Sequence, residues 1–450
     1  METGSDQERL ISLDAFRGMT IAGMVLVNNP GTWSAIYGPL KHAEWHGITP
    51  TDYIFPFFLF IVGIAIPMSL DKRIAEGVTR KVYTKIFIRS AAIFASGLAI
   101  SALPLFIINE TTIPSPLKWL AAISIIAALY FLYVRSFRIA GVLIGVWAII
   151  LIGSYFAGYQ ITPYNINTMR IPGVLQRIAV CYLVVSLIYL HTTWKQQAVI
   201  GTFLLLFYWV LMTKVPVPAC EITSIDDKEC NFAAFLDRLI LGVDHIWKAG
   251  KVFDPEGILS TLPAISTTIS GSLAGSWLKR RRNIEVRPNE EHSTPRDAYF
   301  KMETVAGLFF GGTILLAIGW SWSLIFPLNK SLWTSSYAVY TSGLALLTLG
   351  VCYYLIDIKG HKRWAKPFVI FGVNALALFV FSGIMARMLG IIRVAVPDGK
   401  EISLQQWIFQ NIFLTLAEPV NASLAYAITF VLFWLFLMWL LFRRGILIKL

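Results

Sequence analysis

Charge is what this sequence has least of. Only 14% of its 450 residues are Asp, Glu, Lys or Arg, while 56% are hydrophobic and the mean hydropathy is +0.65. Soluble proteins of this size carry roughly a quarter charged residues, so a water-soluble globule is excluded. No long polar stretch is present that would form a separate soluble domain, and no internal repeat is visible. Met1 to Arg9 is polar and partly acidic, and no small-residue cleavage site follows Asn28, so a cleavable signal peptide is not expected. The net charge of +12 does not indicate nucleic acid, because the basic residues lie in short clusters between apolar runs. Cysteine is scarce as well. Cys181 and Cys352 fall inside apolar runs and read as small buried hydrophobes. Cys220 and Cys230 share one polar loop, ten positions apart, and suit a disulfide if that loop faces an oxidising compartment.

What is present in quantity is long apolar runs. Runs of about 18 residues or more mark helices that cross a bilayer. They lie near 12–29, 51–70, 86–108, 117–134, 139–158, 173–191, 197–214, 258–278, 302–325, 336–356, 367–390 and 421–442. The expected fold is therefore all-α, a polytopic transmembrane helical bundle of about 12 spanning helices. The basic residues orient it. Lys72, Arg73, Arg80, Lys81 and Lys85, then Arg135 and Arg138, Lys195, Lys279 to Arg282, Lys359 to Lys366, and Arg443, Arg444 and Lys449 all fall in alternate connections. Positively charged connections stay in the cytoplasm, which predicts that both termini are cytoplasmic. One membrane domain, 1–450, is expected. It carries an outer loop at 30–50, a second outer loop at 215–257 and a basic cytoplasmic linker at 279–301, flexible at Pro288-Asn289-Glu290-Glu291.

Ionisable groups inside apolar segments are costly, and by default they mark function. Asp14 and Arg17 lie three apart on one face of the first helix. They form either a structural pair or, through Arg17, a receiver for an anionic ligand from the cytoplasm. Asn28-Asn29-Pro30 closes that helix. The densest polar cluster follows, with Lys41, His42, Glu44, Trp45 and His46 leading to Thr49, Thr51 and Asp52. Two of only six histidines are here, and histidine exchanges protons near neutral pH. A metal site on His42, His46, Glu44 and Asp52 is the rival chemistry, and a plain surface loop is the bland one. No second His or Cys set completes a ligand group, so no metal is expected. Gln176 and Arg177 sit about a turn inside the sixth apolar run, where an unpaired cation would cost several kcal/mol. Asp254 and Pro255 read as the cap and first residue of the eighth helix, which leaves Glu256 and Gly257 unexplained. Lys330 in Pro327–Trp333 and Asn374 in Phe371–Leu376 complete the polar sets.

Taken together, these stretches resemble the heparan-α-glucosaminide N-acetyltransferase family. They are SLDAFRG at 12–18, KHAEWHG at 41–47, TPTDYIFPFFLFIVG at 49–63, RIPGVLQRIAV at 170–180, PVPAC at 216–220, DRLILGVDH at 237–245, FDPEGILST at 253–261, PLNKSLWTSSY at 327–337 and FGVNAL at 371–376. The resemblance covers nearly the whole chain in family order. It implies an acetyl-CoA-dependent membrane acyltransferase that moves acetyl from the cytoplasmic side to the amine of a glucosamine-type sugar on the outer face. His42 would be the active-site histidine and Asn28 a second reacting-site residue, with Asp52 or Glu44 orienting the imidazole. Arg17, Arg177, Gln176 and Asn374 are candidates for lining the acetyl-CoA path. Glu44, Trp45, Asp254, Glu256 and Lys330 are candidates for the acceptor side. Direct transfer and an acetyl-histidine relay both remain open. Membrane lipid is an implied partner and a homodimer an implied assembly. Some relatives are associated with N-acetylglucosamine use, and a bacterial inner membrane fits a chain without the animal lumenal domain. An added hairpin near 113–158 departs from the animal pattern. The alternative function is a secondary transporter for N-acetylglucosamine or a related amino sugar, since about twelve helices with intramembrane charges suit one equally. A purely structural role is a third reading.

Overall fold

The computed structural model describes residues 10–218, 220–285, 295–397 and 399–448. The predicted flexible point at Pro288–Glu291, the side chains of Arg280, Arg281 and Arg282, and Lys449 lie outside what is described. All twelve apolar runs are helical. In chain order the helices are α1 (Ile11–Asn28), α2 (Ile54–Ala75), α3 (Arg80–Ala102), α4 (Ser115–Tyr133), α5 (Phe137–Phe156), α6 (Val174–His191), α7 (Trp194–Lys214), α8 (Phe232–Leu241), α9 (Thr261–Glu285), α10 (Pro295–Ser323), α11 (Ser335–Cys352), α12 (Lys366–Val373), α13 (Ala375–Ile391), α14 (Leu404–Ile408) and α15 (Pro419–Arg443). A π-helical turn, Tyr353–Ile358, continues α11. Among the described residues, nine helices are long and apolar enough to cross a membrane, or ten if the pair α12 and α13 counts as one span. The protein is an integral membrane protein.

Three departures from the sequence reading have physical causes. The run at 367–390 is interrupted at Asn374, which ends α12 and caps α13. A short antiparallel hairpin, β1 (Arg393–Ala395) with β2 (Glu401–Ser403), follows α13 and pairs Arg393 with Ser403. Helix α9 spans the predicted run but is not among the helices apolar enough to cross a membrane, because hydroxyl residues fill its middle. Those hydroxyls are buried inside the bundle and satisfied there. Ser266 donates to Gly201 O at 2.9 Å, Thr268 to Ala264 O at 3.1 Å, and Ser272 to the Gln197 side chain at 3.3 Å. A helix surrounded by other helices needs no lipid-facing apolar stripe.

The chain groups into two compact units. The first comprises residues 1–24, 39–94 and 172–373, and the second 25–38, 95–171 and 374–450. In the first unit α2 and α9 pack backbone to backbone. A Cβ built on Gly63 would fall 2.1 Å from Thr268 O, and one on Gly271 would fall 2.0 Å from Phe60 O. Small residues permit this approach, which drives association where lipid removes the hydrophobic force. Phe16, Phe60, Ile61, Ile64, Leu308 and Leu349 form the core beside it. In the second unit, α4 and α5 form the hairpin, closed by a core of Phe106, Ile108, Ala121 and Ala122. There Asn374, 2% exposed, holds the tail. Its amide donates to Ile446 O at 3.1 Å and accepts from Ile448 N at 2.8 Å.

Four helices of the first unit share a direction. Helices α2, α6, α9 and α11 all begin at one end, where Asp52, Arg177, Ser260 and Trp333 meet, and all finish at the other. There Asp71 of α2 pairs with Lys279 of α9 at 2.7 Å and accepts from Tyr189 of α6. Asp357, closing α11, accepts from Ser12 N at 3.2 Å. Ile54 and Asp71 are about 25 Å apart at 1.5 Å rise per residue. We predict that Gly63→Val forces α2 and α9 apart and costs about 1–3 kcal/mol. A lower unfolding temperature of the detergent-purified protein, against an unchanged value for the exposed Gly38→Ala, whose added Cβ would meet nothing within 4 Å, would register it.

Candidate active site

The site grows from one carboxylate. Asp52 lies in the 3-10 turn Pro50–Tyr53 that opens into α2, and it has 0% exposure. Its Oδ2 accepts from Thr49 N at 3.0 Å and Ala43 N at 3.1 Å. Its Oδ1 is 2.6 Å from Nδ1 of His42. Tyr337 of α11 donates to the Asp52 carbonyl at 2.6 Å, and Thr49 Oγ1 to Lys41 O at 2.6 Å. These bonds fold the 41–52 loop around the carboxylate. A buried carboxylate with several donors favours its ionised form and accepts from Nδ1–H of His42, which leaves Nε2 as the ring nitrogen open to exchange. The His42 side chain is 42% exposed and that of Asp52 1%. The imidazole is reachable and the carboxylate is not.

Three further segments meet this loop in the first unit. The turn before α11 brings Lys330 to His42, with Nζ 3.1 Å from both ring nitrogens and 4.0 Å from Asp52 Oδ1. Burial lowers the proton affinity of the Lys330 ammonium, while Glu256 and Asp52 raise it. The start of α6 brings Arg177, which is 2% exposed. Its Nη2 donates to Gly257 O at 3.0 Å and to Ser260 Oγ, and its guanidinium lies 5.1 Å from the ring centre of Trp333. The segment before α9 brings Asp254, whose side chain accepts from Glu256 N at 2.9 Å. Asp237 of α8 lies against that segment and accepts from Ile258 N at 2.8 Å. Burial pushes the Asp237 carboxyl up to about 7 and neighbouring Asp254 adds to the rise, against the Ile258 N–H that lowers it.

Beside the dyad, the disulfide-bonded loop is tied to the histidine loop. Cys220 and Cys230 are joined, their Cα atoms 5.9 Å apart. Trp45 Nε1 donates to Ile225 O at 2.9 Å, and His46 Nε2 is 2.8 Å from Asp226 Oδ1. His46 Nδ1 is 3.3 Å from the Asn329 amide nitrogen, so both of its ring nitrogens are engaged. The two histidines thus bind different acids. No group of three His, Cys, Asp or Glu side chains able to hold a metal occurs among the described residues.

Of the residues singled out from sequence, His42, Asp52, Lys330, Trp45, Arg177, Asp254 and Glu256 belong to this end of the first unit. Gln176 is buried next to Arg177, and Glu44 is exposed on the loop. Arg17 belongs to the first unit too, paired with Asp14 at 3.3 Å. Asn28 is exposed at the end of α1 and is grouped with the second unit, as is Asn374, whose amide is committed to the tail. Asp237, Ser260, Trp333 and Tyr337 were not singled out. Three of them stood inside the quoted stretches FDPEGILST and PLNKSLWTSSY, and Asp237 opened DRLILGVDH, so the motifs held the signal and single-residue reasoning passed over it.

Residues 9–171 match the family model described as "Heparan-alpha-glucosaminide N-acetyltransferase, catalytic". The human heparan-alpha-glucosaminide N-acetyltransferase is 26% identical over 421 residues, which is 83% of this chain and 52% of that protein. The mouse protein is 25% identical over 421 residues, 84% of this chain and 53% of its own. The chain is thus similar to this family, by the model over residues 9–171 and by the full-length relatives over most of its length. It spans about half the length of the curated relatives it matches. The family match takes in Asn28, His42 and Asp52 but ends before Arg177, Asp237, Glu256 and Lys330. The partners of the dyad come from the region beyond that match.

Asp237 gives a stability prediction. A carboxyl whose proton affinity is raised on folding contributes stability that is fully present below about pH 4 and lost as pH rises through about 7. At about 1.4 kcal/mol per tenfold change in affinity, the contribution is on the order of 4 kcal/mol at most. The unfolding temperature should therefore fall from pH 5 to pH 8, and Asp237→Asn should flatten that slope while keeping an acceptor for Ile258 N. A slope unchanged by the substitution would show that other groups set it.

Proposed function

We propose that the chain is a membrane-embedded acetyltransferase that moves acetyl from cytoplasmic acetyl-CoA to the amine of a glucosamine-type sugar on the outer face. The observation that carries this reading is the His42–Asp52 dyad, with its exposed imidazole and buried carboxylate, inside a segment matched to an acetyltransferase catalytic family. The outer assignment of this end rests on the distribution of basic residues.

An amino sugar arrives largely as an ammonium, and its nitrogen cannot attack a thioester until it loses a proton. In this reading Nε2 of His42 takes that proton, because Nδ1–H is held by Asp52 in the tautomer that leaves Nε2 free. The amine then attacks the thioester carbonyl, the C–N bond forms and the C–S bond breaks. The adduct's nitrogen gives up its second proton, the departing sulfur takes one up, and the thiol leaves on the donor side, with one proton released overall. The developing oxyanion calls for a donor, and the Asn28 amide, exposed at the end of α1, is the one proposed. Arg17, near the start of α1, is proposed to hold the anionic part of the donor. Glu256, Asp254 and Trp45 would flank the incoming sugar. The four helix N-termini directed at this end, with Arg177 and Lys330, offset the negative charge that the reaction gathers there.

Purified protein given radiolabelled acetyl-CoA and glucosamine should form N-acetylglucosamine, and His42→Ala should lower the rate about 10²–10⁴-fold. Normal turnover by His42→Ala would overturn the role of this histidine. Sugar uptake into vesicles without acetyl transfer would move the protein to the transporter class. Asp52→Asn, which permits the opposite imidazole tautomer, should lower kcat by about 10²-fold or more with little change in the KM for acetyl-CoA. An equal loss in both parameters would assign Asp52 to donor binding instead.

A further inference from the structure

The amine of Lys330 occupies a place that a His–Asp dyad does not require. An atom 3.1 Å from both ring nitrogens cannot lie in line with the lone pair of either, so it stands toward the face of the imidazole. The backbone beneath it is built for this. Asn329, with 0% exposure, accepts from Leu332 N at 2.8 Å and donates its own N–H to Thr334 Oγ1 at 3.1 Å. Thr334 in turn donates to Pro327 O at 2.8 Å. Trp333 N donates to Lys330 O at 3.1 Å, with Trp333 fully buried and in the left-handed region at φ 50°. A bulky residue adopts that conformation only where its surroundings dictate it.

The charges that face His42 come from three elements. Asp52 lies at Nδ1 from the turn before α2, and Lys330 at the ring face from the turn before α11. On its own segment Lys41 and Glu44 are exposed, and His46 is engaged elsewhere. Behind Lys330, Glu256 and Arg177 act on it with opposite sign. Tyr53 and Tyr337 adjoin Asp52.

We infer that Lys330 is a positioning residue: its ammonium, held against the face of His42, keeps the imidazole neutral between a buried carboxylate and a fixed cation. A carboxylate 2.6 Å from an imidazole favours its doubly protonated form, which could not act as a base. A cation on the other side opposes that proton by a comparable Coulomb interaction, and the three groups titrate as a unit. The kinetic consequence rests on the acetyltransferase reading, whereas the charge relation between the two side chains does not.

The test follows the His42 ring directly. Full-length protein labelled with carbon-13 at the histidine Cε1 is titrated by NMR, with the His42 signal assigned by its loss in His42→Gln. In Lys330→Gln the His42 midpoint should rise by about one to two pH units, allowing for partial solvent screening. In Lys330→Arg, which keeps the charge, it should stay within about a few tenths of a unit. The acidic limb of kcat/KM for acetyl transfer should move with the midpoint in each variant. Lys330→Met, of matching length, replaces the Gln variant if that protein fails to purify folded. A midpoint in Lys330→Gln equal to or below that of the unsubstituted protein overturns the inference. If the unsubstituted protein acetylates no amino sugar, the acetyltransferase reading falls while the titration still decides the role of Lys330.

Discussion

The carboxylate of Asp52 has no contact with solvent, and an isolated ion in that position would be expelled or neutralised. It persists because the loop from 41 to 52 and the turn into α2 surround it with donors: two backbone N–H groups, an imidazole N–H and a nearby ammonium. The dependence runs both ways. Without the charge the loop has nothing to fold around, and without the loop the charge has no reason to be there. The exposed imidazole, the ammonium above it and the acidic segment that faces them follow from that arrangement.

A second constraint is how charge is tolerated at the edge of an apolar bundle. Asp52, Asp237, Asp254 and Glu256 lie at one end of a unit where four helices begin. Helix N-termini carry partial positive charge, and two of those carboxylates are bonded to backbone N–H groups of the segment that leads into α9, Asp254 to Glu256 N and Asp237 to Ile258 N. Arg177 adds a full charge beneath the aromatic face of Trp333. The mixture is not uniform in effect. Asp52, rich in donors, is an orienting anion, while Asp237, with fewer donors beside another acid, is drawn toward its neutral form. The opposite end of the same helices carries a plainer solution, with Asp71 between Lys279 and Tyr189.

Much of the candidate site was legible as residue types. Histidines beside a capping Thr-Pro-Thr-Asp and an arginine one turn inside an apolar run were each anomalous locally; Asp254 and Pro255, expected to cap and open a helix, lie instead in the turn before α9, which begins at Thr261. What local reasoning could not supply was pairing. Glu44 and Asp52 were equal candidates to orient His42 by distance in sequence, yet only Asp52 begins a helix and turns inward, while Glu44 faces solvent. His42 and His46, four apart, looked like one pair and bind two different acids. Arg177 is a candidate for the donor path by sequence, and the structure shows it bonded to Gly257 and Ser260 and set against Trp333. Asn374 is a candidate for the donor path by its setting, and the structure shows its amide bonded to Ile446 and Ile448 of the tail.

Hydropathy and the placement of basic residues determined the membrane class, the positions of the helical runs and their expected orientation, because partition into lipid depends on composition along the chain and little else. Only the tertiary structure decided that α9 could be rich in hydroxyls, since a buried helix is judged by its neighbours and not by lipid. It alone decided which acid serves which histidine and which cation lies on the ring. Those relations are set by distances of about 3 Å between residues as many as 288 positions apart, and at that range a hydrogen bond or a Coulomb interaction depends on where the backbone turns, not on how far apart the residues are in the chain.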